Sequence, residues 1–167
     1  RRRTERLVTR VQEGVIAHAA GGEWKLLVYT NKVDRTEHLA LMKGDLPGDG
    51  PVLVRMHAVD LVTDVLGSPL WSVLQGSMRM IAREGRGIVV LLRETAPDAL
   101  SNRVRALASS PRPQQQLRDY GIGAQILVDL GVHDMVLLTN RHRTIVGLEG
   151  YGLNVVEERR IEEVPEG

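Results

Sequence analysis

Three features of the sequence predict an α/β fold with a leading antiparallel, β-rich part. Up to His57 the chain is cut into short apolar runs separated by turn residues, the pattern of strands joined by hairpins. Beyond Pro69, apolar residues recur every three or four positions, which is the period of an amphipathic helix. Ile88–Leu92 and Val136–Leu138 are uninterrupted apolar runs of the kind carried by strands buried on both faces. With 167 residues, 43% of them hydrophobic, a single domain with a single core is expected.

The chain opens Arg1-Arg2-Arg3-Thr4-Glu5-Arg6, a solvated basic stretch, and residues 1–8 read as a linker. It starts without a methionine, so a longer protein is expected. Candidate strands follow at Val11 and Gly14–Ile16, at Leu26–Tyr29, at Leu39–Met42 and at Val52–His57. Turns are placed at Gly21-Gly22, around Val33-Asp34, and from Gly44 to Pro51. These strands are expected to form a small antiparallel barrel or curved sheet ahead of the α/β part.

Trp71, Leu74, Met78 and Ile81 then share one helical face, with Ser68 as N-cap, Pro69 in the first turn, and Gly85 and Gly87 closing the helix. After the strand Ile88–Leu92, Asp98 caps a helix expected to turn Leu100, Val104 and Leu107 inward and Arg103 and Arg105 outward. Ser109–Gln116 is a polar, proline-containing loop. Gln116–Asn140 forms a helix-turn-strand unit: Ile122, Ile126, Leu127 and Leu130 lie on one face, Gly131 ends the helix, and Val136–Leu138 is a strand. A helix over Thr144–Glu149, ended by Gly150-Tyr151-Gly152, and a strand at Leu153–Val156 complete the domain, which spans 9–160. The acidic stretch from Glu157 is expected to fray, with 161–167 as a flexible tail.

The composition narrows the function. There is no Phe, and aromatics are limited to Trp24, Trp71, Tyr29, Tyr120 and Tyr151, so the core is built from Leu, Val, Ile, Met and Ala. A net charge of +1 from 22 basic and 21 acidic residues gives no support for a nucleic-acid or membrane surface. No apolar run approaches the roughly 20 residues a bilayer requires, and nothing reads as a secretory signal, so a cytoplasmic location is expected. The absence of cysteine excludes disulfides and thiolate metal sites. Thr139-Asn140, at the carboxyl end of a parallel strand, stands where open α/β sheets collect ligands; the same pair also suits the cap of a following helix.

Leu117-Arg118-Asp119-Tyr120-Gly121-Ile122-Gly123-Ala124-Gln125-Ile126-Leu127, followed by Asp129-Leu130-Gly131-Val132 and then Leu137-Leu138-Thr139-Asn140, resembles the signature of GTP cyclohydrolase II. That enzyme opens the imidazole ring of GTP in riboflavin synthesis. The resemblance covers roughly residues 5–160 and implies that family's fold and a homodimer. Arg1–Val8 resembles the connector that follows the dihydroxybutanone phosphate synthase domain in fused riboflavin-pathway proteins, which implies such a domain as partner.

The resemblance also implies which groups the chemistry would need. The family holds a catalytic zinc with three cysteines, the first closing Arg-Val-His-Ser-Glu-Cys. Here that motif reads Arg55-Met56-His57-Ala58-Val59-Asp60, and the other two ligands are replaced near Ser68-Pro69-Leu70. Arg93–Asp98 stands where the family carries a Gly-Arg phosphate clamp. Gln116 replaces the family's proton acceptor and cannot act as a base, whereas Arg118, with Tyr120 beside it, is retained. Thr144 replaces a nucleotide lysine, with Arg141 and Arg143 nearby.

Loss of one catalytic group commonly costs about 10²–10⁴ in rate, so a chain lacking metal, base and clamp is expected to have no cyclohydrolase activity. The expected site has no catalytic residue, no zinc or other cofactor, and a nucleotide-binding remnant of Arg55, His57, Thr139 and Asn140. Two alternatives remain: an active enzyme using His57 and Asp60 for an unusual metal, and a nucleotide or flavin sensor using Arg55, Arg118 and Thr139.

Overall fold

The computed structural model describes residues 6–46, 48, 50–67, 72–109, 117–140 and 148–162, and for 117–119 the backbone alone. Seven strands form one mixed sheet in the order β1-β2-β3-β5-β4-β6-β7. The first three are β1 (Val8–His18), β2 (Gly22–Asn31) and β3 (Glu37–Lys43), a meander paired antiparallel. Gly21 and Gly22 both have positive φ, 86° and 76°, and so close the first hairpin with the twist its strands need. The sequence places this turn correctly.

The leading antiparallel part is not closed into a barrel. β3 pairs antiparallel with β5 (Gly87–Leu92), so the meander is a wing of the same sheet that carries the parallel strands. β4 (Val52–Ala58) lies parallel between β5 and β6 (Asp134–Leu138), and β7 (Asn154–Arg159) lies parallel outside β6. The outer edge is β1, exposed from Thr9 to Ala17.

Alternation along the central strands divides the core into two layers. Val52, Val54 and Met56 of β4, with Met135 and Leu137 of β6, pack with Ala124, Ile126 and Leu127 of α4 (Leu117–Asp129). Leu53, Val136 and Leu138 face the other way, onto Met78 and Ile81 of α2 (Val73–Glu84). The expected faces of both helices are therefore the buried ones.

The ends of α2 differ in part from expectation. Its N-cap is Ser72, whose hydroxyl accepts from the Gln75 N–H at 3.2 Å; Ser68, Pro69, Leu70 and Trp71 lie outside the described residues. Gly85 closes it in the left-handed conformation, φ 87°, whereas Gly87 already belongs to β5. Gly131, at φ 89°, follows α4 as expected.

Four readings are corrected. A six-residue helix, α1 (Leu61–Leu66), follows β4 where no helix is expected. In α3 (Ala99–Arg105) the inward side is not the expected one: Leu100 and Val104 are 53% exposed, Leu107 beyond it is also exposed, and Arg103 points inward, while Arg105 is exposed as expected. Asp98 sits at its N-cap without a capping hydrogen bond. The described end of the expected Thr144–Glu149 helix is a 3-10 turn, Leu148–Tyr151. Finally, the chain does not fray at Glu157: β7 runs to Arg159, and Ile161 is buried against the α2 layer. Residues 163–167 lie outside the described set, as does most of the Ser109–Gln116 loop.

Candidate functional site

β4 is followed by a connection toward β5 on one side, while β6, on its other side, leads to β7. Strand order reverses between β4 and β6, and in open α/β sheets the crevice at such a point is where ligands bind. Ladder pairing between these two strands ends at Val54 and Leu137. Past that point a side chain makes the link: Arg55 Nη1 donates to the Leu138 carbonyl at 3.3 Å.

Arg55 anchors a polar chain running away from the crevice. Its Nη2 donates to His57 Nδ1 at 3.3 Å, which leaves the proton of that imidazole on Nε2. His57 Nε2 in turn lies 3.0 Å from both oxygens of Asp64 on α1, and Asp64 Oδ2 also accepts the Asp60 N–H at 2.8 Å. His57 is buried, so its two ring nitrogens are fully used inside the protein. Burial pushes the Arg55 guanidinium down to about 10, with Tyr120 and Asp64 acting the other way. The Arg55 Nε atom is sealed from solvent and has no hydrogen-bond partner among the described residues.

Asp60 is the N-cap of α1, accepting from Thr63 N at 3.0 Å and Thr63 Oγ1 at 2.7 Å. The same buried carboxylate takes a fork from Arg103, Nε at 2.8 Å and Nη2 at 3.0 Å. Burial pushes this carboxyl up, but the Arg103 and Thr63 hydrogen bonds outweigh it, and the group ends below its ordinary value.

On the β6 side, Asn140 Oδ1 accepts the Ile161 N–H at 2.8 Å, and the Thr139 N–H donates to the Arg159 carbonyl at 3.0 Å. Both residues tie the strand end to the segment after β7. Tyr120, in the first turns of α4, is half-buried against the α4 layer. Arg118 falls in the first turn of α4, with its side chain outside the described residues. Gln116, Arg141, Arg143 and Thr144 also lie outside that set.

Arg55, His57, Asp60 and the Leu138–Asn140 strand end thus converge on the carboxyl ends of β4 and β6. Two members of this network, Asp64 and Arg103, are absent from the residues the sequence singles out. Asp-Leu-Val-Thr-Asp over 60–64 is a helix-start pattern that could have revealed α1 and Asp64. Nothing local announces Arg103, whose partner is 43 positions away.

The donor set does not suit a metal. His57 Nε2 is directed at Asp64, and the Asp60 carboxylate is taken by a guanidinium, a hydroxyl and a backbone N–H. Among the described residues, no three His, Cys, Asp or Glu side chains are grouped to hold an ion.

The family model for GTP cyclohydrolase II matches residues 9–160. The chain belongs to the GTP cyclohydrolase II family. Within curated relatives it is 40% identical over 179 aligned residues to the riboflavin biosynthesis protein RibBA of Chlorobium phaeovibrioides, covering 98% of this chain and 43% of that protein. It is 43% identical over 153 residues to RibBA of Bacillus subtilis, covering 81% of this chain and 38% of that one. Among solved structures it resembles RibBX, a two-domain 3,4-dihydroxy-2-butanone 4-phosphate synthase from A. baumannii. That match has a TM-score of 0.65 and 26% identity, over 96% of this chain and 42% of the other. The chain therefore spans about two fifths of the length of these relatives. As a GTP cyclohydrolase II family domain it has the mixed α/β sheet expected from its sequence, and among its described residues no helix is long and apolar enough to cross a membrane.

Proposed function

We propose that this domain is a non-catalytic member of the GTP cyclohydrolase II family, attached to a dihydroxybutanone phosphate synthase domain that it assembles or regulates. The carrying observation is the engagement of Asp60. The residue standing in the first-ligand position of the family motif is neutralised by Arg103, with no cysteine anywhere in the chain. A hydrolytic ring opening needs water made nucleophilic near neutral pH, and among the described residues no three His, Cys, Asp or Glu side chains are grouped to hold a metal for that. The names of the RibBA relatives and of the two-domain RibBX neighbour support the fused synthase as partner; a cytoplasmic homodimer belongs to the same proposal.

The test is direct. Protein purified without chelator should contain no stoichiometric zinc and release neither formate nor pyrophosphate from GTP; release of either above background ends the proposal. Synthase activity of the full-length protein should change when this domain is deleted, and light scattering should report a dimer.

A second reading has its own observation, the sealed Arg55 Nε at the strand-order reversal. A guanidinium kept there at a solvation cost suits a nucleotide phosphate or another anion. Calorimetric titration with GTP and with riboflavin separates the two readings: heat at millimolar ligand or below supports a sensor, and its absence removes that reading.

A further inference from the structure

We infer that Arg103 engages the carboxylate standing at the first-ligand position of the family motif, so that Asp60 serves an internal ion pair instead of a metal, and that the pair thereby fastens α3 over the end of β4. This rests on the non-catalytic reading above. Two independent observations carry it.

The first is the contact itself. Arg103 approaches side-on, Nε to one Asp60 oxygen at 2.8 Å and Nη2 to the other at 3.0 Å, with side-chain exposures of only 13% and 6%. Thr63 supplies two further donors, so the carboxylate accepts four hydrogen bonds, three of them on Oδ2. A forked guanidinium–carboxylate pair out of water is the strong, directional form of an ion pair.

The second is the orientation of α3. Leu100, Val104 and Leu107 fall at i, i+4 and i+7, the spacing that ordinarily buries a helix face, yet all three are exposed. Arg103, three positions after Leu100 and four before Leu107, flanks that stripe, and with Ala99 and Ala106 it makes up the partly buried side of this helical segment. With no buried apolar residue in α3, the forked pair is a long side-chain contact that its inward side makes.

The experiment uses the full chain with Arg103→Met, Arg103→Lys, Asp60→Asn and the double variant Asp60→Asn/Arg103→Met. Thermal midpoints are measured with and without EDTA, zinc content is assayed, and amide exchange is followed in α3 and α2. The wild-type midpoint should ignore chelator. Arg103→Met and Asp60→Asn should each lower it by about 5 °C or more, and the double variant should fall by less than the two together. Amides of α3 should lose protection in Arg103→Met while those of α2 keep it. Arg103→Lys, which cannot fork, should lie between wild type and Arg103→Met, and it serves if Arg103→Met fails to fold. Unchanged midpoints, strictly additive effects or unaltered α3 exchange in a metal-free wild type overturn the inference and leave the non-catalytic reading intact. Stoichiometric zinc with a chelator-sensitive midpoint overturns both.

Discussion

The Tyr29 hydroxyl donates to the Asp129 carboxylate at 2.6 Å, joining β2 to α4 across 100 positions of sequence. The same carboxylate takes Arg6 Nη1 at 2.9 Å and Arg10 Nη2 at 2.7 Å. Burial raises Asp129, but the bonds from Tyr29, Arg10 and Arg6 together bring it below its ordinary value. Burial, then the bond to Asp129, pushes the Tyr29 hydroxyl up. Removing the carboxylate would take away the acceptor of that hydroxyl. Asp129→Ala is therefore expected to cost about 2 kcal/mol, and to lower the melting midpoint by roughly 5 °C. Arg6→Ala removes only an exposed arm and should cost at most about 0.5 kcal/mol. Thermal unfolding of both variants checks the difference.

Acid should unfold the domain through the same carboxylates. Asp60 and Asp129 both lie below their ordinary value of 3.8 when folded, so between the folded and unfolded values the unfolded chain binds more protons. Their contribution is complete above about pH 4 and is lost as pH falls through the folded values. Stability measured by denaturant titration should be flat in this contribution near neutrality and decline below pH 4. Asp129→Asn should start lower at neutral pH and show a shallower acid decline.

Much of this architecture is legible in local sequence because the relevant signals are themselves local. The Gly21-Gly22 turn, the α2 and α4 faces, Gly131 and the two-sided burial of Ile88–Val90 all follow from period and turn chemistry. The inward turn of Arg103 on α3 does not, because its partner is Asp60, far away in the chain. The merging of the hairpin wing with the parallel strands depends on β3 pairing with β5, a long-range choice that alternation cannot reveal. In the site, Arg55, His57 and Asp60 are found from the motif. Their actual engagement, with Leu138, Asp64 and Arg103, is tertiary information.

Gly87 is required by packing rather than by φ. A Cβ built there would lie 2.7 Å from Ile81 Cγ2 and 2.8 Å from the Leu53 carbonyl oxygen, and the latter belongs to backbone that cannot step aside. Gly87→Ala should cost about 2 kcal/mol or more by overpacking the β4–β5–α2 junction. By contrast, nothing lies within 4 Å of a Cβ at Gly14. Gly14→Ala on the exposed edge strand should leave the midpoint within about 0.5 kcal/mol of wild type, by chemical denaturation of the pair.

Arg55 is the residue at which stability and binding should part company. Its guanidinium is held down at about 10 by burial, so the folded state carries its charge at a cost. Between that value and the ordinary arginine value the unfolded chain binds more protons, and stability from this group rises with pH there; below about pH 10 the cost is present in full. Its compensation is partial: one bond to Leu138 O, one to His57 Nδ1, and an Nε with none among the described residues. Methionine has a similar length, needs no hydration and fits an apolar surround, although it leaves the two acceptors to find other donors. Arg55→Met is expected to fall within about 1 kcal/mol of wild type, or above it, in thermal unfolding. If the domain senses a nucleotide, the same variant should abolish the calorimetric heat of GTP binding. A group that can be removed without loss of stability, yet whose removal abolishes binding, is held in place for the ligand; a fall of several kcal/mol would instead make Arg55 a structural tie between β4 and β6.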